Sequence, residues 1–355
     1  MSQDKVSAII PARNEALTIA RTVRSVAAQP EVIEIIVVND NSTDDTAAIL
    51  EALRTEIPQL RTLEVGDPPD GWIGKTHAVV AGAGEASGNW LLFTDADTEH
   101  HPGSLAQVLE CARRERADLV SLSPGQEMLE WWEKAVIPFV YTELARRYRF
   151  AEVNDPKNKS AAANGQYILV RRAVYESAGG HEAVSGEILE DVALAKRIKD
   201  SGRRILFLPG ADWASTRMYS SFGALWDGWR KNLYLLWGCS VVATLMTFAR
   251  VWFVDLAPLL ACLLAFALAF DGGGVDLAGI GVLCLALTIA RRFAYGRELC
   301  RIGFGPDAAN YGIPGAALFL MLLIESLVAH RWLGSVRWKG REYSTRGPVR
   351  VRPSL

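Results

Sequence analysis

The distribution of apolar and polar positions divides the chain into two parts, which meet near residue 220. In the first part, stretches with helical spacing alternate with short apolar runs at residues 6–10, 34–38, 60–65, 90–94 and 167–170. Strand-sized runs that alternate with helices are typical of an α/β domain with a mostly parallel sheet. Ligands bind such sheets at the carboxyl ends of the strands, so the loops after these runs are candidate sites.

The second part is dominated by long apolar runs that carry almost no charge. Four such runs follow one another: Leu233–Ala249, Trp252–Phe270, Val275–Ala290 and Ile313–Val328. A helix needs about 20 apolar residues to cross a bilayer core. Any one run is also consistent with a buried core helix, but four in succession favour three or four membrane-spanning helices, and we favour four. The flanking basic residues do not decide the number, because either arrangement leaves one basic cluster on the outer side.

Composition adds three restrictions to this picture. The chain has 355 residues, of which 50% are hydrophobic, and a formal net charge of -2, so its composition does not indicate binding to nucleic acid. Its five cysteines have no paired spacing, which is typical of a reducing compartment. The N-terminal residues lead into a strand rather than into a signal-peptide core, so we expect the first part to stay in the cytosol.

An amphipathic stretch lies between the two parts, at residues 221–237. Its apolar residues recur at helical spacing beside Arg230 and Lys231, and they are Phe222, Leu225, Trp226, Trp229 and Leu233. This pattern predicts a helix at a membrane interface, with a core-facing helix as the alternative. We therefore expect an α/β domain at 1–220, this helix at 221–237, membrane helices at 238–332 and a basic tail at 333–355.

Two aspartates follow the strand at 90–94 and form the sequence Asp95-Ala96-Asp97. In an extended segment, residues two apart point the same way, so both carboxylates can face one cation. Oxygen ligands favour Mg²⁺ or Mn²⁺. An Asp-x-Asp sequence is weak evidence by itself, because acids in ordinary turns give the same pattern.

Further motifs occur in order around this pair. They are PARNEA at 11–16, VVNDNSTDD at 37–45, GWIGKTHA at 71–78, TDAD at 94–97 and GEILEDVALAKRIKDSG at 186–202. With these motifs, Val6 to Trp229 resembles the family 2 glycosyltransferases, which have the GT-A fold. Within that family the chain is most similar to membrane-bound enzymes associated with hopanoid, carotenoid and ceramide glycosylation, and WKGREY at 338–343 supports this placement.

The resemblance implies a donor site and a catalytic base. The base would be Asp191, preceded by Glu190, and the divalent cation would be held by Asp95 and Asp97. The nucleotide sugar, linked to UDP or GDP, would contact Pro11, Ala12, Glu15, Asp40, Lys75, Asp95, Ala96 and Asp97. Asn39 stands before Asp40 where the family often has a second acid, and Asn41 replaces a common glycine. The motif therefore does not decide which nucleotide base the donor carries. Asn41 is compatible with the left-handed backbone of a tight turn. We expect Ser42 or Thr43 to cap the helix that follows and runs towards Leu53.

Residues on the acceptor side are less clearly marked. Small and amide side chains precede the run at 167–170, and we expect the acceptor or the diphosphate to contact Asn164, Gly165, Gln166, Arg217 and Trp229. A plain loop is the alternative interpretation of residues 161–166. His181 is expected to line the pocket. The QxxRW signature of processive synthases is absent in that form, which favours a single transfer.

These observations predict an inverting glycosyltransferase that acts once on a lipid-type acceptor. We expect it in the cytoplasmic membrane, with the catalytic domain in the cytosol and with the membrane, a nucleotide sugar and a lipid as its partners. Two alternatives remain: a nucleotidyltransferase with a related nucleotide pocket, and a membrane scaffold without activity. Ionisable residues in the apolar part are too few to mark a transport path.

Overall fold

The computed structural model describes residues 4–345 and 351–353. Contacts divide the chain into two compact units. The first contains the described residues of Met1–Glu127, Tyr148–Met218 and Ser335–Leu355, and the second contains Met128–Arg147 and Tyr219–Gly334. The C-terminal segment, expected from the sequence as a separate basic tail, therefore groups with the α/β domain.

An eight-stranded sheet forms the centre of the first unit, with strand order β3-β2-β1-β4-β7-β6-β8-β5. Strands β1 to β4 run parallel, as do β6 and β8, whereas β7 and β5 run antiparallel to their neighbours. The mostly parallel sheet is confirmed. The strands are β1 Val6–Ala12, β2 Val32–Asp40, β3 Leu60–Val65, β4 Trp90–Thr94, β5 Thr98–His100, β6 Leu119–Gln126, β7 Tyr167–Arg171 and β8 Ile205–Thr216.

Helices cover both faces of this sheet. Each face buries its own cluster of aliphatic side chains, one around Ile10 and Val37 and the other around Ile9 and Ile36. Successive residues of β1 and β2 therefore point to opposite cores, which explains why these strands are apolar throughout. The helices are α1 Ile19–Ala27, α2 Thr46–Glu56, α3 Gly74–Gly84, α4 Ser104–Glu115, α6 Phe150–Asn154, α7 Arg172–Ser177 and α8 Glu190–Asp200.

The loops after β1 and β2 are joined to each other by hydrogen bonds between their polar groups. The hydroxyl of Ser42 accepts a hydrogen bond from the Asn14 amide at 3.0 Å, and the Asn14 side chain accepts one from the Thr43 amide at 2.8 Å. Helix α2 consequently begins at Thr46, later than a cap at Ser42 or Thr43 predicts. Asn41 has a φ of 51°, as its replacement of glycine predicts.

A short hairpin follows the last apolar helix and belongs to the first unit. Strand β9 (Ser335–Trp338) pairs antiparallel with β10 (Arg341–Ser344), and β10 also pairs with β11 (Val351–Pro353). Lys339 and Gly340 form the turn, both with positive φ, the arrangement that a two-residue hairpin turn requires. WKGREY is therefore a hairpin with its turn in the middle.

The second unit is helical. Its helices are α5 Trp131–Arg147, α9 Phe222–Leu236, α10 Val241–Val251, α11 Ala257–Leu268, α12 Gly274–Arg301 and α13 Gly312–Val328. Among the described residues, three continuous helices are long and apolar enough to span a membrane: Val241–Asp271, Gly274–Arg301 and Pro306–Leu333. They indicate association with a membrane. The number is three rather than four. The first apolar run begins within the end of α9, and the rest of it joins the second run in one helix through a π-turn at Trp252–Leu256.

Six charged residues within this unit form a paired network. Asp255 accepts from Arg291 at 2.7 Å, and Arg291 also contacts Glu298 at 3.2 Å. Glu298 in turn contacts Arg146 at 2.5 Å, and Glu143 pairs with both Arg146 and Arg250. Three acids and three arginines thus form a network without net charge. Pairing of this kind is what makes ionisable groups tolerable in an apolar setting.

Helix α9 buries most of the stripe that the sequence assigns to a membrane interface. Leu225, Trp229 and Leu233 are at most 3% exposed, while Phe222 is 39% exposed. The helix is fixed to α13, because the Tyr234 amide donates to the Ser326 hydroxyl at 2.8 Å and the Trp226 indole donates to Glu325 at 2.8 Å. This apolar face is therefore largely a protein contact.

Candidate active site

A small cavity opens at the carboxyl end of β4. Seven of the residues expected in the site line it together with apolar side chains, and the full lining is Pro11, Lys75, Val79, Phe93, Thr94, Asp95, Gly165, Ile168, His181, Glu190 and Asp191. Asp97, Asp40 and Glu15 are not part of this lining. The pairing of β4 with β7 explains part of this assembly. Thr94 lies opposite Tyr167, so the chain entering β7 brings Gly165 beside the chain leaving β4 at Asp95.

The start of helix α8 reaches the same cavity through a contact between two loops. The Ile73 amide donates to the Ser185 carbonyl at 2.8 Å, and a Cβ on Gly186 would lie 2.9 Å from the Gly71 carbonyl. Glycine at 186 thus permits close packing of the GWIGK segment against the residues before α8. This packing brings Lys75 and the Glu190-Asp191 pair together.

Lys75 joins the two acidic parts of the site. Its ammonium lies 2.7 Å from Asp95 Oδ1 and 3.0 Å from Glu190 Oε1. Burial by itself would lower the pKa of Lys75, but the charges of Asp95 and Glu190 outweigh it and raise the pKa well above its usual value. The lysine is therefore a permanent cation between two carboxylates.

Asp191 is held by two backbone amides. Oδ2 accepts from the Gly165 amide at 2.9 Å and Oδ1 accepts from the Val192 amide at 2.8 Å. Burial and the neighbouring Glu190 charge raise its pKa to about 6, although Lys75 and the two amides act in the opposite direction. A carboxylate with this pKa is ionised at neutral pH and is basic enough to accept a proton.

The Asp95-Ala96-Asp97 loop is anchored through its backbone. The Thr22 hydroxyl donates to the Ala96 carbonyl at 2.9 Å, and the Thr98 amide donates to the Asp95 carbonyl at 3.2 Å. Burial and the charges of Asp95 and Glu15 raise the pKa of Asp97 to about 7. Asp97 thus lies where neighbouring negative charge outweighs positive charge.

These residues fit a hard divalent cation. Asp95 and Asp97 offer oxygen ligands only, and the raised pKa of Asp97 marks a place where a cation would be favourable. Among the residues that the structure describes, no group of three or more His, Cys, Asp or Glu side chains could hold a metal ion. The protein would therefore supply at most two side-chain ligands in that region, with the remainder from substrate and water.

Sequence reasoning missed two basic residues beside acids that are expected to contact the nucleotide. Arg341, only 4% exposed, pairs with both carboxylate oxygens of Asp40, with Nη2 at 2.9 Å from Oδ1. Lys339, in the turn of the same hairpin, pairs with Glu15. Separation by about 300 positions hides these pairs, and the only sequence signal is the WKGREY segment itself, which carries both residues.

The residues expected on the acceptor side lie in different environments. The side chains of Asn164 and Gln166 bond to each other at 3.0 Å, and Gln166 is 4% exposed, so both amides help to shape the loop around Gly165. Arg217 is half-buried directly after β8. Trp229 belongs to the second unit, where it packs against Tyr141 and Tyr219. An acceptor role for these residues stays a prediction.

His181 closes one side of the cavity. Its ring stacks edge-on against Phe93 with 4.7 Å between the ring centres, and its Nδ1 lies 3.1 Å from the Tyr175 hydroxyl. Burial lowers the pKa of His181 to about 4, so the imidazole is neutral at physiological pH. This neutral ring is a lining group of the kind that the sequence suggests.

Comparison with known proteins agrees with the fold and the motifs. Residues 7–179 match the model of the family described as "Glycosyl transferase family 2". A 4,4'-diaponeurosporenoate glycosyltransferase of Staphylococcus aureus (strain USA300) is 27% identical over 342 residues, which cover 95% of this chain and 87% of the relative.

A solved structure shows a similar fold. It is the mannosyltransferase PcManGT from Pyrobaculum calidifontis, determined in complex with GDP-Man and Mn²⁺. It has a TM-score of 0.51 and 19% identity, and the match covers 94% of this chain and 88% of that one. This level of identity speaks for the fold alone. The sheet, the order of the motifs and the family match agree, so residues 7–179 are similar to glycosyl transferase family 2 and the fold is GT-A-like.

Proposed function

We propose that the protein is an inverting glycosyltransferase that transfers one sugar from a nucleotide-sugar donor to a lipid-type acceptor at the cytosolic face of the cytoplasmic membrane. The observation that carries the proposal is the shared cavity of Asp95 and Asp191, since a donor-side carboxylate and a base then act on one sugar carbon. The family match over residues 7–179 and the Staphylococcus aureus relative support the reaction class.

In this proposal, Asp191 accepts the proton of the acceptor hydroxyl. The two amides that hold its carboxylate fix its direction, and each oxygen keeps a lone pair for the hydroxyl. The hydroxyl oxygen forms a bond to the anomeric carbon as the bond from that carbon to the diphosphate breaks. A single base and attack opposite the leaving group give inversion.

Lys75 would serve the donor side. Its ammonium contacts Asp95 and Glu190 and stays charged, so it can accompany the negative charge that develops on the departing diphosphate. The nucleotide itself would contact the loops after β1 and β2, at Pro11, Ala12, Glu15 and Asp40. These loops are bonded to each other, which keeps the pocket formed before the donor arrives.

The cation that we propose is Mg²⁺ or Mn²⁺, held by Asp95 and Asp97. When bound, such an ion would neutralise part of the diphosphate charge. The mannosyltransferase with the similar fold was solved with Mn²⁺ and GDP-Man, which supports an ion and a nucleotide sugar of this kind. The donor here is a UDP- or GDP-linked sugar.

The acceptor that we propose is a membrane lipid with a hydroxyl group. Three helices suited to a membrane support a lipid acceptor, as does the relative whose name contains a carotenoid acid. A lipid acceptor would arrive from the bilayer, whereas the nucleotide sugar is soluble. The enzyme would then work where membrane and cytosol meet.

Donor turnover tests this function. The purified full chain, incubated with Mn²⁺, membrane lipid extract and a panel of UDP- and GDP-sugars, should release nucleoside diphosphate and form a glycolipid detected by mass spectrometry. Release of pyrophosphate instead would identify a nucleotidyltransferase. Lack of turnover with every donor, alongside a folded protein, would contradict the proposal.

A further inference from the structure

The C-terminal hairpin places two cations against acids of the proposed nucleotide pocket. Arg341 contacts both oxygens of Asp40 and also lies 3.4 Å from Asp67, whereas Lys339 pairs with Glu15. The hairpin thus reaches acids at the end of β2 and in the loop after β1.

The backbone around the pocket is built to admit Arg341. A Cβ on Gly74 would lie 2.1 Å from Arg341 Nη1 and 2.8 Å from Asp40 Oδ2. Gly74 begins helix α3, where alanine would otherwise be the better helix former. Glycine at this position leaves room for the Arg341 guanidinium beside the start of helix α3.

Further contacts tie the hairpin turn to the loops after β1 and β2. Arg13 Nε donates to the Lys339 carbonyl at 3.1 Å, and Arg13 Nη1 donates to the Asp40 carbonyl at 2.7 Å. Tyr343, on the same strand as Arg341, is 5% exposed. The hairpin is therefore packed into the first unit and is held by buried groups.

Charge explains why such a hairpin is useful for the proposed donor. The pocket contains several carboxylates, which would repel a nucleoside diphosphate if they were left unpaired. Among the described residues, the cations that pair with Asp40 and Glu15 are Arg13 and the two hairpin residues. Removal of the hairpin charges would leave Asp40 a nearly buried carboxylate beside the incoming nucleotide.

We propose that the C-terminal hairpin is a wall of the nucleoside diphosphate site, in which Arg341 positions the Asp40 carboxylate and Lys339 supplies positive charge towards the diphosphate. The inference rests on the proposed function, because it takes Asp40 and Glu15 as donor-side residues. It assigns a binding role to a segment that follows all the apolar helices. Arg341 acts through Asp40 and is a positioning residue.

Nucleotide binding by the full chain in detergent tests this inference. Calorimetry with UDP and with GDP, each with Mn²⁺, should show binding by the wild type and about tenfold or greater weakening in Arg341→Gln. Arg341→Lys keeps the charge without the two-pronged contact and should fall between them. In turnover assays, Arg341→Gln should raise the donor KM more than it lowers kcat.

Two further variants make the test specific. Gly74→Ala retains every charged group but displaces Arg341, so it should weaken binding in the same direction, and it carries the test if Arg341→Gln does not fold. Arg61→Gln is the matched control, because Arg61 also bridges two acids, Glu34 and Glu85, away from the cavity. It should bind nucleotide as the wild type does.

The outcomes separate this inference from the proposed function. Unchanged or tighter nucleotide binding in folded Arg341→Gln and Gly74→Ala would overturn the inference, since a hairpin that merely blocks the pocket would give tighter binding. The proposed function would survive that result if the wild type still transfers sugar. A wild type that binds neither UDP nor GDP would overturn both.

Discussion

Gly165 shows how one missing side chain shapes the site. A Cβ at this position would lie 2.9 Å from the Lys75 ammonium and within 3.6 Å of the Asp191 carboxylate. The backbone amide of the same residue holds Asp191. Gly165 therefore fixes the base on one side and leaves room for the lysine on the other.

Replacing Gly165 with alanine should disturb activity more than stability. The added methyl group displaces Lys75 from Asp95 and Glu190, and a shift of this size in a catalytic group costs about tenfold to hundredfold in kcat/KM. Gly84→Ala is the control, since a Cβ there meets nothing within 4 Å. Wild-type kinetics in Gly165→Ala would show that the lysine position is unimportant.

The raised pKa of Asp191 predicts a pH dependence. The base must be ionised, so kcat should fall by about tenfold per pH unit below the pKa of about 6 and level off above it. The Glu190 charge is the second cause of the raised Asp191 pKa. In a variant without Glu190, the fall in kcat should therefore occur at a lower pH. A profile that stays flat from pH 5 to pH 8, measured with saturating donor, would contradict the assignment of the base.

Asp97 should lower the free energy of unfolding near neutral pH, although it supports function. Because its folded pKa of about 7 lies above the ordinary 3.8, the folded state binds the proton more tightly than the unfolded state. Its effect on stability is therefore most favourable at acid pH and becomes unfavourable as the pH rises from about 4 to about 7. Asp97→Asn should raise the unfolding free energy at pH 7.5 by about 1 kcal/mol while abolishing turnover. A lower melting temperature in Asp97→Asn would contradict this.

The elements of the first unit follow from apolar periodicity, but their ends do not. Strands β1, β2, β3 and β4 lie where the apolar runs predict them, because burial on both faces produces continuous apolar segments. Helix α2 begins later than predicted, since Ser42 and Thr43 bond to the loop after β1 instead of capping it. Contacts between distant loops decide such ends, and a local pattern cannot reveal them.

The helices of the second unit depend on one close approach that a local pattern does not predict. A Cβ on Gly315 in α13 would lie 2.4 Å from the Ala135 carbonyl in α5. A glycine in an apolar run signals little by itself, yet here it allows two backbones to meet. Packing of small residues is a general means of helix association in membranes.

Gly315→Ala should therefore destabilise the helical unit. Forcing α5 and α13 apart should cost about 1–3 kcal/mol, seen as a lower melting temperature in detergent. Gly279→Ala in α12 is the control, because its surroundings are open, and it should be neutral or slightly stabilising. Equal melting temperatures for the two variants would show that the close approach contributes nothing.

At the scale of the whole chain, the hairpin constrains the membrane topology. Residues before the apolar helices and residues after them belong to the same compact unit. A unit that folds on one side of a bilayer requires an even number of crossings between its parts. Of the three candidate spans, Pro306–Leu333 is the most enclosed by protein, at 50% against 17% and 6%. We expect the other two to cross as a pair.

This topology predicts that both ends of the chain face the cytosol. Fluorescent-protein and phosphatase fusions at each end should report the same side, with fluorescence at both and phosphatase activity at neither. A C-terminal fusion that reports the outer side would contradict the topology, and with it the pairing of Arg341 with Asp40. The sequence could not decide this point, because each arrangement considered leaves one of the two basic clusters on the outer side.

The most direct measurement of the central claim compares two properties of one variant, Asp191→Asn in the full chain. Since Asn cannot accept the proton, sugar transfer should fall by about a hundredfold or more, while the Kd for UDP or GDP with Mn²⁺ stays within about twofold of wild type. Near-normal transfer by Asp191→Asn, giving a product with the same anomeric configuration as the wild-type product, would contradict the account.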